Sequence, residues 1–171
     1  MTPDVLIPRL ETECLIKRAR DILHKSAHPI TVIDIGCGSG IIGTSIADLA
    51  DEIIFLDIST KALEIAKENF HTHFGNKKSQ FIVSDLLDGF ISPHFMGSQK
   101  GYPTQPPLQG EEPASSHILL LTNLPYIKQD DWINMSADTV HEPRLALFGG
   151  DITGFEMYER LFSQISDFVK L

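Results

Sequence analysis

An α/β fold built on a doubly wound parallel sheet is what this sequence predicts, and three observations predict it. Short β-branched, apolar runs alternate with stretches of helical periodicity. The first of these runs is compact and β-branched with one acid as its only charge, as strands covered on both faces are in parallel sheets. A glycine-rich turn follows that run at once and opens a helix. Strands that alternate with helices need right-handed crossovers, which place helices on both faces of the sheet.

Each element can be read in turn. From Glu11 to Ala27, Leu15, Ile16, Ala19, Ile22 and Leu23 recur at three- and four-residue steps, with Lys17, Arg18, Arg20 and Asp21 between them. That spacing predicts an amphipathic helix ending before Pro29. Ile30 to Ile35 is the first strand, with Asp34 as its only charge. Ile41 to Leu49 has helical character, and Ile53 to Asp57 is a second strand ending in an acid. Ser59 stands where an N-cap is needed for the next helix. Ala62, Leu63, Ile65, Ala66 and Phe70 mark one face of that helix, and Lys61, Glu64, Lys67 and Glu68 the other. Phe81 to Val83 supplies a third strand with Asp85 just beyond it, and Ile118 to Thr122 a fourth that leads into Asn123. Ser92 to Ser116 is rich in Pro, Gly, Gln and Ser, and Pro103, Pro106, Pro107 and Pro113 oppose regular structure, so a flexible surface insertion is expected there. Gly154 to Val169 returns to helical spacing at Phe155, Met157, Tyr158, Leu161, Phe162 and Ile165.

Whole-chain properties remove several function classes. A length of 171 residues suits one domain over 1–171, and 42% hydrophobic with 22% charged residues is ordinary globular composition. The net charge of −9 argues against broad electrostatic capture of nucleic acid, which needs a basic face. Cys14 and Cys37 are too few for a disulfide framework, so a reducing, cytoplasmic setting is expected. No apolar run approaches the length of a membrane span, and Asp4, Arg9, Glu11 and Glu13 break any signal-peptide pattern. His24, His28, His71, His73, His94, His117 and His141 show no metal-ligand spacing, and no metal site is expected.

The chemistry concentrates at the ends of the strands. Asp34-Ile35-Gly36-Cys37-Gly38-Ser39-Gly40 lies between strand and helix, where parallel sheets bind ligands and where glycines let the backbone approach them. The alternative is a tight turn that binds nothing. Gly36, Gly38 and Gly40 are spaced Gly-x-Gly-x-Gly, and Gly43 falls too late for the dinucleotide fingerprint, which weakens a nicotinamide-dependent oxidoreductase. Asp34 would repel a pyrophosphate and attract a cationic sulfonium nucleoside, so the turn favours S-adenosylmethionine. Asp57 is positioned to accept from both ribose hydroxyls or, alternatively, to cap the following helix. Asp85 could accept from the adenine amine, with Leu86 covering the purine face, or could be a solvated loop acid.

Asn123-Leu124-Pro125-Tyr126 ends the fourth strand. A planar nitrogen is a poor nucleophile because its lone pair is delocalised, so its N–H groups must be held while the lone pair is aimed. The Asn123 side-chain oxygen and the Leu124 carbonyl can hold them, Pro125 stiffens the backbone, and Tyr126 offers a flat wall. An Asx-type turn is the bland alternative.

With these residues in place, the sequence resembles the HemK-like glutamine methyltransferases, which modify the Gly-Gly-Gln glutamine of peptide chain release factors. The resemblance rests on Leu6 to Glu13, the Asp34 to Gly40 turn, Asp57, Ser84-Asp85, Asn123 to Tyr126, and Glu142 to Gly150. It implies that Gly36 to Gly40, Asp57 and Leu86 contact the cofactor and that Asn123 touches both cofactor and glutamine. Leu124, Pro125 and Tyr126 would complete the amide site, and S-adenosylhomocysteine would be the product. The family usually has proline where this chain has Leu10 and Leu124, and Asn-Leu-Pro-Tyr also resembles the ribosomal RNA adenine dimethylases. Family members carry an amino-terminal helical domain and three further strands, so the chain is similar to a shortened core whose fourth strand has an exposed edge, open to dimerisation. The expected activity is methyl transfer to a glutamine amide in a release factor or a ribosomal protein. The rivals are transfer to an RNA adenine and cofactor binding without turnover.

Overall fold

Four apolar runs become strands because their aliphatic side chains can be covered on both faces. In the computed structural model, which describes residues 10–90, 117–134 and 143–168, they are β1 (Ile30–Ile35), β2 (Glu52–Asp57), β3 (Ser79–Val83) and β4 (His117–Thr122). All pairings are parallel in the order β3-β2-β1-β4, with Ile33 opposite both Ile54 and Leu120. Ile30 and Val32 face a core completed by Ala19 and Leu23 of α1 (Leu10–Lys25), Ile42 of α2 (Ile41–Ser45), and Ala66 and Phe70 of α3 (Thr60–Phe74). Ile33, Ile35, Ile54 and Leu56 face the opposite layer, with Leu87, Phe90 and Leu161. Each such aliphatic contributes about 1.5–3 kcal/mol by leaving water. The sheet is therefore covered on both sides, as doubly wound folds require. The expected insertion at Ser92 to Ser116 lies outside the described residues, as do Leu6 to Arg9 and Glu142.

Ser59 caps α3, its hydroxyl accepting from the Ala62 N–H at 3.3 Å. The second helix is shorter than its sequence spacing predicts. Arg20 of α1 donates to the Ser45 carbonyl at 2.8 Å, the acceptor Leu49 would use in a continued helix, and Leu49 instead bonds the Ile46 carbonyl at 3.0 Å. The same guanidinium grips Asp48 at 2.7 and 2.9 Å.

Beyond β4 the chain makes short elements that its periodicity does not announce. These are β5 (Ile127–Lys128), a 3₁₀ turn (Gln129–Asn134), α4 (Arg144–Leu147) and β6 (Phe148–Gly150), with β5 and β6 paired in parallel. Arg144 lies over the rings of Trp132 and Phe148, 5.3 and 5.2 Å from their centres. Gly149 sits so close to the carbonyls of Pro125 and Gly154 that no side chain fits. α5 (Glu156–Phe168) follows, and the Glu156 carboxylate closes the turn before it by accepting from the N–H groups of Ile152 and Thr153 at 2.7 and 2.9 Å. Those bonds, the Thr153 N–H foremost, hold its carboxyl down at about 2.

Candidate active site

The tips of all four strands open on one cleft of about 1040 Å³ of free space, the solvent at its mouth included. At the tip of β1, the N–H groups of Gly36 and Cys37 share the Leu56 carbonyl at 2.8 and 3.0 Å, which bends the chain over β2. Gly36, Gly38 and Gly40 have φ of 66, 53 and 73°, the left-handed region that glycine adopts without strain. A Cβ at Gly38 would meet nothing within 4 Å, so the backbone there faces open cleft, whereas one at Gly40 would press on Ala66 at 2.9 Å. Gly40 thus shapes the turn from beneath and does not line the cleft, while Gly36, Cys37, Gly38 and Ser39 do.

Asp57 clamps this turn. Its Oδ2 accepts from the Gly38 N–H at 2.9 Å and its Oδ1 from the Ser59 N–H at 2.8 Å. An ionised carboxylate has about four acceptor positions, so capacity remains toward the cleft that Asp57 lines. Asp34, expected from the sequence to face a cationic ligand, stands elsewhere. It is fully buried under the turn, with Oδ2 accepting from the Gly43 N–H at 2.9 Å and Oδ1 without a partner. Burial pushes its pKa up to about 7 against the pull of that bond. Its carboxyl is absent from the cleft lining, so any preference for a cation does not act through direct contact. Burial, with Asp34 and Asp57 adding to it, also raises the Cys37 thiol, which therefore stays protonated and a poor nucleophile.

At the tip of β3, the Ser84 hydroxyl donates to the Leu86 carbonyl at 2.7 Å and accepts from the Gly89 N–H at 2.8 Å. These bonds hold Leu86 at φ 54°, a conformation leucine rarely adopts, with its side chain buried in the cleft wall. Asp85 lines the same wall, and Arg160 of α5 donates to its Oδ2 at 2.8 Å. Gln164, one turn further along α5, accepts from the Leu87 N–H at 3.0 Å and donates to Asp88 at 2.8 Å.

At the tip of β4, the Thr122 hydroxyl donates to the Ile35 carbonyl at 2.9 Å and ties this edge strand to the central β1. The Asn123 amide nitrogen donates to the buried Thr12 hydroxyl at 3.2 Å, which leaves its oxygen on the other corner of the amide. The Leu124 side chain lies against Gly36, where an added Cβ would stand 2.8 Å from Cδ2. Its carbonyl accepts from the Tyr158 hydroxyl at 3.1 Å. Asn123, Leu124 and Pro125 line the cleft; Tyr126 is half-exposed and does not.

Residues 12–95 match the methyltransferase small domain. The chain is 29% identical over 168 residues to the release factor glutamine methyltransferase of Chlamydia trachomatis, covering 96% of this chain and 49% of that protein. To the protein of the same name from Bacillus anthracis it is 32% identical over 167 residues, 95% of this chain and 51% of the other. The chain is thus similar to a methyltransferase domain over residues 12–95, and to these two methyltransferases over nearly its whole length. It spans about half the length of the curated relatives it matches. The catalytic domain of hMettl16, solved with the MAT2A 3'UTR hairpin 6, superposes on 95% of the chain and 54% of its own with a TM-score of 0.60, and at 12% identity it shows a shared fold alone.

S-adenosylmethionine is the cofactor this methyltransferase family implies. The donor set fits a nucleoside. Gly38 gives open backbone, Asp57 keeps spare acceptor capacity, and Ile58, Leu86 and Ile41 supply apolar walls. Of the sequence-derived candidates the fold gathers all but Asp34, Gly40 and Tyr126 around this cleft. Sequence reasoning missed Thr12 as the partner of Asn123, although it lies inside the amino-terminal motif. It read Met157 and Tyr158 only as helix periodicity, and it had no signal for Arg160.

Proposed function

We propose that this chain, as one catalytic domain, transfers a methyl group from S-adenosylmethionine to the side-chain amide nitrogen of a protein glutamine. The favoured acceptor is the Gly-Gly-Gln glutamine of a peptide chain release factor. The observation that carries this reading is the pair of acceptors at the tip of β4, Asn123 and the Leu124 carbonyl, on residues that line the same cleft as Asp57. When bound, the cofactor supplies a methyl group on a sulfonium centre and leaves as S-adenosylhomocysteine. The backbone of Gly36 to Ser39 would make room for it, with Gly40 shaping the turn beneath, Asp57 would accept from the ribose hydroxyls, Asp85 from the adenine amine through the oxygen Arg160 leaves open, and Leu86 would cover the purine. Asn123 and the Leu124 carbonyl each accept one N–H of the acceptor amide, which fixes its plane and aims its lone pair; as the nitrogen gains the methyl it gives up one of these two protons to solvent. Pro125 stiffens that turn, and Tyr126, outside the cleft lining, follows it at the surface. Catalysis is then largely positioning, which can be worth about 7–11 kcal/mol of a barrier. The printed names of the relatives support the glutamine acceptor.

The deciding experiment is incubation with labelled S-adenosylmethionine and candidate release factors, followed by mapping of the modified residue. Asn123→Ala is expected to abolish transfer while cofactor binding persists; undiminished transfer by that variant rejects the role given to Asn123. The outer edge of β4, on which no described strand pairs, supports a further expectation: association of two copies of the chain.

A further inference from the structure

The Leu124 carbonyl is the acceptor in the proposed site that nothing in its own strand holds in place, since β4 ends at Thr122. A hydroxyl from 34 residues further along the chain holds it instead. We propose that Tyr158 is a positioning residue for methyl transfer: its hydroxyl, bonded to the Leu124 carbonyl at 3.1 Å, fixes the direction in which that carbonyl receives the acceptor's N–H. The inference rests on the reading of Leu124 as an amide-binding residue. A carbonyl oxygen has two lone pairs, so the tyrosine bond occupies one and leaves the other for the acceptor. A donated hydrogen bond in a half-buried setting also polarises the carbonyl and strengthens the second bond it accepts.

Tyr158 is itself rigidly placed. Two residues after it, with Glu156 closing the turn before α5, Arg160 bonds Asp85 in the cofactor wall. One helix therefore ties the nucleoside end of the cleft to its acceptor end. Burial raises the Tyr158 pKa above that of an ordinary phenol, so the hydroxyl stays a donor at any physiological pH.

The test compares Tyr158→Phe, which removes the hydroxyl, with Tyr158→Leu, which removes the ring as well. Both are made in the full chain and assayed with a glutamine-containing release-factor peptide. Both variants are expected to lose kcat alike, by roughly ten- to a hundredfold, while the S-adenosylmethionine Kd and the peptide KM stay within about twofold. A Tyr158→Phe variant that keeps kcat within about twofold while Tyr158→Leu loses it would show that only ring packing matters, and overturns the proposal. If the unaltered chain methylates an adenosine-containing RNA and no glutamine, the acceptor reading fails alone, and the kcat loss of Tyr158→Phe on that RNA upholds the tyrosine. A chain that methylates neither acceptor overturns both.

Discussion

Asp34 carries its proton to an unusually high pH because no water reaches it, and that has a consequence for stability. The group titrates near 4 in an unfolded chain and at about 7 in the folded one, so the folded state binds the proton more tightly. Its contribution is complete below about pH 4 and is lost as the pH rises through 7, a fall of up to about 4 kcal/mol. Asp34→Asn, which stays neutral, is expected to flatten the dependence of unfolding free energy on pH across that window. Urea unfolding at a series of pH values measures it, and identical slopes in the two proteins would refute it. Gly43, whose N–H Asp34 accepts, is limited by space: an added Cβ would stand 2.5 Å from Cε1 of Phe55. That ring is fully buried and stacks on Phe81 at 4.8 Å, so it cannot swing aside. Gly43→Ala should cost about 1–3 kcal/mol by overpacking. Gly38→Ala is the contrasting case, because its Cβ would enter open cleft at a left-handed φ. Its stability loss should stay near 1–2 kcal/mol, while calorimetry finds cofactor affinity down by tenfold or more.

At the scale of elements, α5 is the part whose function the sequence least discloses. Its bond from Arg160 to Asp85 joins groups 49% and 40% exposed, so solvent screens it and its worth to stability is at most about 1 kcal/mol. Arg160→Met should therefore melt almost as the parent does, yet bind S-adenosylmethionine several-fold more weakly because Asp85 is no longer held; unchanged affinity counts against the clamp. The main sheet was legible because burial on two faces demands unbroken apolar runs. The expected strand Ile30 to Ile35 matches β1 residue for residue, and Asp57 ends β2 as expected. What the sequence hid depends on distant partners. The early end of α2 is set by Arg20 from 25 residues away, and the Asp85 to Arg160 bond spans 75. β5 and β6, with two and three residues, are too short to carry a period. They exist because Gly149 lets the chain press against the Pro125 carbonyl, and this pairing buttresses the Asn123 to Tyr126 turn. The same reasoning explains Tyr158, which shares its helix face with core residues and so looked like packing.

For the whole molecule, the outer edge of β4 and the overall charge set the two remaining expectations. Ile118, Leu119 and Leu120 of β4 are only partly buried, and among the described residues no strand covers their edge. Such an edge offers unpaired N–H and C=O groups to a second copy, so sedimentation over a broad concentration range should find a dimer, and a monomer throughout rejects it. Charge bears on the acceptor. A chain of net charge −9 repels polyphosphate at long range, and any RNA it bound would have to be gathered by local cations against that field. Affinity for RNA built on such contacts falls steeply with salt, by roughly a power of salt concentration equal to the number of phosphates engaged. A glutamine side chain held by Asn123, Leu124 and apolar walls involves no ion release. Raising salt from about 50 to 200 mM should therefore change kcat/KM for the glutamine acceptor by no more than about threefold, where an RNA acceptor contacting several phosphates would lose a hundredfold or more. A steep salt slope in methyl transfer would move the assignment from amide to adenine while leaving the cofactor cradle as described.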